Sequence, residues 1–272
     1  MRKLRYLTID EELQIIEKKH QGIKRKDLIA EYGISERHYK DVFIRNGFSL
    51  EKKVQKFTFN EDYFKKIDTE DKAYFLGFIV ADGCVTKSNS IKIIQKEVNI
   101  LYEFKKYIEF EGDVYNCKIR NMNYITITSA KAKQDLHNLG ISSNKTMIVK
   151  YPIIPDNLQN HFMRGVFDGD GCISLRTDKR DNSQRGQVNI CSGSYDFISE
   201  YYSKLVKYCG LSGNNKIRCP KGTYYVVDWG GLSDVEKIHN FLYKDATVFL
   251  ERKKETFDRV VSITRDKNKY RK

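Results

Sequence analysis

Asp82 and Asp170 close two copies of one short pattern. The first copy runs Tyr74-Phe75-Leu76-Gly77-Phe78-Ile79-Val80-Ala81-Asp82-Gly83-Cys84-Val85, and the second Phe162-Met163-Arg164-Gly165-Val166-Phe167-Asp168-Gly169-Asp170-Gly171-Cys172-Ile173. Both read aromatic, two residues, Gly, two apolar residues, one variable, one small, Asp, Gly, Cys, β-branched. A repeat at this spacing, 88 positions, implies two similar half-domains with the acids related by a pseudo-twofold axis. Two carboxylates brought together repel, and each would sit at a helix C-terminus, where the backbone dipole also disfavours negative charge. A divalent cation between them relieves both penalties. Mg²⁺ suits such a site, with Mn²⁺ as a substitute, because it binds one or two carboxylates and takes its other ligands from water and phosphate.

The elements that must position these acids are short and apolar. The run before each acid is too short to span a membrane and fits a buried helix of two or three turns. Gly77 and Gly165 lie inside those helices, where Gly costs about 1 kcal/mol relative to Ala, so a close backbone approach is the expected reason for them. Ala81 and Gly169 extend the same small face. Each Asp-Gly pair is expected to stop its helix, with a strand starting at the β-branched residue. Asp168-Gly169-Asp170-Gly171 is not an EF-hand loop: Cys172 stands where an oxygen ligand belongs.

At these residues the chain resembles the LAGLIDADG homing endonucleases. Phe75 to Gly83 and Met163 to Gly171 match the nine-residue motif, and the resemblance covers about residues 60 to 260. Val80 departs from the consensus acid that Asp168 keeps; the later, metal-binding acid stands in both copies. The resemblance implies two repeats forming a saddle over DNA, with Asp82 and Asp170 holding metal and the peptide oxygens of Ala81 and Gly169 as further ligands. It also implies a water-ordering role for Gln95, whose counterpart is Ser192. Lys145 and, less closely matched, Lys253 are the implied basic residues that stabilise charge on phosphate. The alternatives are an ordinary polar strand end for Gln95 and surface positions for the lysines. No Ser-His-Asp or Cys-His set is evident.

Composition agrees with a polyanion partner. The chain has 49 Lys+Arg against 36 Asp+Glu, a net charge of +13, which favours nucleic acid. Its six cysteines, at 84, 117, 172, 191, 209 and 219, form no Cys-x-x-Cys pair, so a zinc site is not indicated. Cys84 and Cys172 are read as buried small hydrophobes. No signal peptide or apolar span is evident, so the expectation is a reducing compartment without membrane: the cytoplasm of a bacterial or phage-infected cell, or an organelle.

The fold class expected is α+β: two pseudo-symmetric αββαββα repeats forming a DNA-binding saddle, preceded by a small all-α helix-turn-helix domain. The divisions are 1–50 for that domain, 51–65 for a linker, 66–150 for the first repeat, 151–160 for an inter-repeat linker, 161–262 for the second repeat, and 263–272 for a frayed basic tail. In the first domain, Thr8 and Glu11 form a capping box for a helix carrying Leu13 and Ile16. A second helix holds residues 27–32, Gly33-Ile34-Ser35 turns the chain, and Ser35 caps a third helix. This looks like the small DNA-binding domains of resolvases and Hin-type recombinases, which would direct Arg37, His38 and Lys40 at DNA; a helical interaction module is the alternative. In the repeats, four-stranded sheets are expected, the second including a strand at Lys216–Cys219. Their basic residues Lys87, Lys92, Arg120, Arg176, Lys179, Arg180, Arg185, Lys216, Arg218 and Lys221 are candidate DNA contacts, with Arg176 and Arg218 as base readers if they face the groove.

The function these readings support is a monomeric, metal-dependent, site-specific endonuclease acting on double-stranded DNA with a long, near-asymmetric target and no obligatory protein partner. The alternatives are a non-cleaving DNA-binding transcriptional regulator on the same scaffold, and an RNA-binding intron maturase.

Overall fold

A computed structural model describes residues 6–48, 57–143, 145–178 and 183–269, the side chains of 266–269 excepted. The chain divides into two compact units, Met1–Lys56 and Phe57–Lys272.

Among the described residues the first unit is three helices, α1 (Ile9–His20), α2 (Arg25–Glu31) and α3 (Glu36–Arg45). The capping box opens α1: the Thr8 hydroxyl accepts from the Glu11 amide at 3.2 Å, and the Glu11 carboxylate accepts from the Thr8 amide at 2.9 Å. Gly33 takes the left-handed conformation (φ 61°) that ends α2, and the Ile34 amide returns to the Ile29 carbonyl. Ser35 then caps α3 by accepting from the His38 amide at 3.1 Å. Ile15, Ile16, Leu28, Tyr32, Tyr39, Val42 and Phe43 form the core. On α1, Ile15 and Ile16 face this core while Leu13 is exposed.

The second unit is built around α4 (Glu70–Asp82) and α7 (Gln159–Asp170). In the first repeat α4 leads into β1 (Gly83–Val85), β2 (Ser90–Gln95), α5 (Asn99–Tyr107), β3 (Tyr115–Cys117), β4 (Met122–Thr128) and α6 (Ala130–Asn138). These strands form an antiparallel sheet in the order β1-β2-β4-β3. In the second repeat α7 leads into β5 (Gly171–Thr177), β6 (Gln184–Ser192), α8 (Tyr195–Cys209), β7 (Tyr225–Gly230), α9 (Leu232–Tyr243) and α10 (Glu251–Lys269), with the sheet order β5-β6-β7. A continuous apolar core runs through both repeats. The mixed α+β class and the two-repeat plan therefore stand.

Four expectations change. The strand at Lys216–Cys219 reduces to a single bridge, Arg218 to Val226, so among the described residues the second sheet has three strands. Pro220 follows directly and has no amide to extend a ladder. The linker 51–65 is not a linker throughout: Tyr63 and Phe64 are buried, and Phe57 and Phe59 pack edge-on against Phe110. The inter-repeat segment 151–160 is likewise anchored. Tyr151 donates to the buried Gln159 amide oxygen at 2.7 Å, and Gln159 donates to the Ile154 carbonyl at 2.8 Å. Finally, the tail from 263 continues α10 to Lys269. Thr264 is buried with its hydroxyl donating to the Val260 carbonyl at 2.6 Å.

Candidate active site

The site begins with two glycines that let two helix backbones touch. A Cβ on Gly77 would overlap the Phe162 carbonyl oxygen and lie 3.0 Å from the Val166 nitrogen. A Cβ on Gly165 would overlap the Tyr74 carbonyl oxygen and lie 2.9 Å from the Phe78 nitrogen. The obstacles are backbone, which cannot rotate away, so the expected packing reason for both glycines is the observed one.

This contact carries Asp82 and Asp170 to the last turns of α4 and α7. Gly83 and Gly171 follow in extended conformation (φ −78° and −82°), so their glycine character is not a matter of left-handed backbone. The reason is crowding: a Cβ on Gly83 would lie 2.6 Å from the Ile79 carbonyl oxygen, and one on Gly171 would meet the Phe167 ring and carbonyl. At Gly169 a Cβ would clash with Ala81 and come 3.4 Å from the Asp82 carboxylate. The small pair Ala81 and Gly169 thus brings Asp82 against the end of α7.

Around the acids the halves differ. Gln95, on the inward row of β2, donates to the Asp82 carboxylate at 2.9 Å, while its own oxygen accepts from the Lys96 amide at 2.9 Å. Sheet register makes Ser192 its counterpart, since Gly83 faces Ile93 and Gly171 faces Ile190. The Ser192 hydroxyl is turned away and accepts from the Ser194 amide at 3.1 Å. No described side chain hydrogen-bonds the Asp170 carboxylate.

Lys145, on a short 3₁₀ turn (Lys145–Met147), and Lys253, on the first turn of α10, are both only 8% exposed. The surface alternative for either lysine therefore falls. The Lys253 ammonium donates to the carbonyls of Phe167 (3.3 Å) and Gly171 at the end of α7. Burial pushes both lysines below their ordinary range, and the charges of Asp170 at Lys145, and of Asp168 at Lys253, oppose it. The acids are pushed up. Burial raises Asp82 against the pull of Lys253, Lys145 and Gln95. Burial and then the Asp82 charge push Asp170 up to about 6.

The donor set fits a hard divalent cation. Two desolvated carboxylates share one place, and Asp170 has an uncommitted carboxylate. Among the described residues no group of three or more His, Cys, Asp or Glu could hold a metal, so such an ion would complete its shell with peptide oxygen, water and phosphate, as Mg²⁺ does.

Cys84 and Cys172 are exposed, contrary to expectation. Strand alternation explains it: Gly83 and Val85 point inward, as do Gly171 and Ile173, leaving each cysteine on the outer face beside the acids. That outer face also carries Lys92, whose ammonium sits 4.0 Å from the Tyr124 ring centroid. Arg176 lies on the corresponding face and donates weakly to Gln187 at 3.4 Å. Arg218 is paired with Asp228, and Arg185 with Asp178 at 3.2 Å. Lys87, Arg120, Lys216 and Lys221 are exposed; Lys179 and Arg180 lie outside the described residues. In the separate first unit, Arg37 and Lys40 are exposed and His38 half-buried on α3.

One group of residues was missed by the sequence reading, which treated Asp168 only as a consensus acid. Asp168 is fully buried and accepts from the Tyr243 hydroxyl (2.5 Å), the Tyr74 hydroxyl (2.8 Å) and the Leu250 amide (2.7 Å). Arg164 donates to Val248 O, Leu242 O and Glu70 at 2.8, 2.9 and 2.7 Å. Setting the two copies side by side would have raised the signal, because the positions matching Glu70, Tyr74, Arg164 and Asp168 are Leu158, Phe162, Leu76 and Val80.

No protein-family model matches the chain. No curated protein matches it. Solved structures do. The I-LtrWI LAGLIDADG homing endonuclease bound to target DNA aligns over 76% of this chain and 92% of its own, at 14% identity and a TM-score of 0.51. The meganuclease I-SmaMI bound to uncleaveable DNA aligns over 75% and 92%, at 12% identity and a TM-score of 0.54. The LAGLIDADG meganuclease I-CpaMI bound to uncleaved DNA aligns over 74% and 94%, at 15% identity and a TM-score of 0.52. With the doubled motif, the paired glycine helices and the two antiparallel sheets, the chain has the LAGLIDADG homing endonuclease fold.

Proposed function

We propose that the chain is a site-specific endonuclease that hydrolyses phosphodiester bonds of double-stranded DNA, acting as a monomer. The observation that carries this reading is the convergence of Asp82 and Asp170 at two touching helix ends, flanked by the buried Lys145 and Lys253. The solved structures of the same fold are DNA-bound endonucleases, and the +13 charge suits a DNA partner.

Asp82 and Asp170 would hold Mg²⁺ or Mn²⁺, with the peptide oxygens of Ala81 and Gly169 as further ligands. When bound, the ion would supply Lewis acidity towards the phosphate and ease loss of a proton from the attacking water. Gln95 fixes one oxygen of Asp82 and orients water at that end of the site. Lys145 and Lys253 place positive charge, under low dielectric, where negative charge grows on the phosphate. Lys87, Lys92, Arg120, Arg176, Lys216 and Lys221 offer phosphate and groove contacts, with Arg185 and Arg218 exchanging their carboxylate partners for DNA. The first unit serves as a helix-turn-helix reader through Arg37, His38 and Lys40.

The test is incubation with duplex DNA from the host locus and Mg²⁺, followed by mapping of the ends, beside a gel shift against structured RNA. Discrete double-strand ends support the reading. Duplex binding without any cleavage points to the regulator instead, and preference for RNA to the maturase.

A further inference from the structure

Between α9 and α10 the chain from Lys244 to Leu250 is neither helix nor strand, yet both motif helices grip it and the last turn of α9. From α7, Arg164 donates to the carbonyls of Leu242 and Val248, and Asp168 accepts from the Tyr243 hydroxyl and the Leu250 amide. From α4, Glu70 accepts from the Thr247 amide at 2.8 Å, and Tyr74 donates to Asp168 at 2.8 Å. Arg164 and Glu70 are themselves paired at 2.7 Å. Leu250 is the residue on which α10 starts, since its carbonyl accepts from the Lys253 amide at 2.9 Å. Lys253 sits one turn on, with its ammonium against the end of α7.

We propose that Glu70, Tyr74, Arg164 and Asp168 are positioning residues that fix Lys253 at the acids, and that no matching network on the motif helices fixes Lys145, whose turn is held instead by Ser194 donating to the Val149 carbonyl at 2.7 Å, so that the two DNA strands are cut by unequally organised half-sites. The proposal rests on the endonuclease reading for its consequence, though not for its geometry. Leu158, Phe162, Leu76 and Val80 occupy the matching positions and are buried apolar residues that cannot grip a backbone. The Lys145 ammonium makes no hydrogen bond with any described residue. Buried polar groups need partners, and here six hydrogen bonds, counting the Val248 amide to Glu70 at 3.4 Å, converge on residues 242–250. A reacting group displaced by about 1 Å can lose on the order of 100-fold in rate, so the asymmetry matters for the cut that Lys253 serves.

The test uses the full chain and the variant Asp168→Asn. Asn offers an accepting oxygen on one side only, so at least one of the three donors faces an amide instead. Tyr243→Phe, which removes a single donor, is the second variant should Asp168→Asn fold poorly. Two readouts are taken: amide hydrogen exchange across 247–256 and 145–150, and single-turnover cleavage resolved by strand, with DNA affinity measured in parallel. Protection across 247–256 should fall while 145–150 holds. One strand should slow by up to ~100-fold with affinity unchanged and nicked DNA accumulating. Unchanged protection across 247–256 overturns the proposal, as does equal slowing of both strands, which is what general destabilisation would give. If the parent chain cuts neither strand, the endonuclease reading fails, and the exchange measurement still decides the positioning claim.

Discussion

The two halves around the motif helices share one set of residues and diverge in another. Gly77 and Gly165, the small pair Ala81 and Gly169, both acids and both following glycines stand in both copies, and the small residues are required by a contact between the helices or with the helix itself. What surrounds them has separated. One side of the pseudo-twofold is a buried polar network of Glu70, Tyr74, Arg164 and Asp168; the other is Leu158, Phe162, Leu76 and Val80. Gln95 reaches Asp82, while Ser192 serves the start of α8. The lesson is that the helix contact constrains both copies equally, because a backbone clash has no remedy. The supporting shell is free to differ so long as each side satisfies its own polar atoms.

The shared part should tolerate least. Gly77→Val and Gly165→Val each drive a side chain into a carbonyl of the facing helix, so each should cost at least about 3 kcal/mol by chemical denaturation. If either variant kept the parental stability, the close backbone contact would not exist as described. The divergent part should respond unequally. Lys253→Ala removes donors from the Phe167 and Gly171 carbonyls, costing about 1–3 kcal/mol, whereas Lys145→Ala removes charge but no hydrogen bond. Thermal melts should therefore separate the two, and equal losses of Tm would erase the difference between the halves. A smaller effect is expected at the strand ends. Gln95→Ala should slow DNA cleavage more than Ser192→Ala, because only Gln95 touches an acid; the reverse order in single-turnover rates would contradict the geometry. The smallest concerns the first unit. A chain beginning at Phe57 keeps the whole second core and should retain its fold and metal-dependent cleavage. Its DNA footprint should shorten on one side, and the slope of log K against log[salt] should drop by about 0.9 for each phosphate it no longer neutralises. An unchanged footprint and slope would make the first unit an interaction module.

What was legible in the sequence was whatever local pattern dictates. Thr8 with Glu11, and Ser35 after Gly33, set the starts of α1 and α3. The glycine and acid repeat set the two helices and their ends, and the equivalent ends of the second strands, with the family resemblance, set Gln95 and Ser192 as counterparts. Facing was harder: Cys84 and Cys172 look like core residues by type, yet Gly83 and Gly171 occupy the inward positions and strand alternation turns the cysteines out. Long-range partnership was harder still. Nothing near Phe57 or Tyr63 announces Phe110 or α4, so 57–65 reads as a linker. Thr264 looks solvated until α10 is laid along the core. The Asp168 network joins residues up to 178 positions apart, which single-sequence patterns do not encode, although the mismatch between the two copies does mark where to look.

The central claim is that Asp82 and Asp170 together form one metal-dependent cleavage site. It is tested most directly by double-strand cleavage of the mapped target with Mg²⁺ and with EDTA, for the parent chain, Asp82→Asn and Asp170→Asn, alongside DNA affinity. The account predicts cleavage by the parent only with Mg²⁺ or Mn²⁺, and a loss of about 100-fold or more in each variant with affinity nearly unchanged. Full-rate cleavage in EDTA, or parental cutting of both strands by either variant, would contradict it.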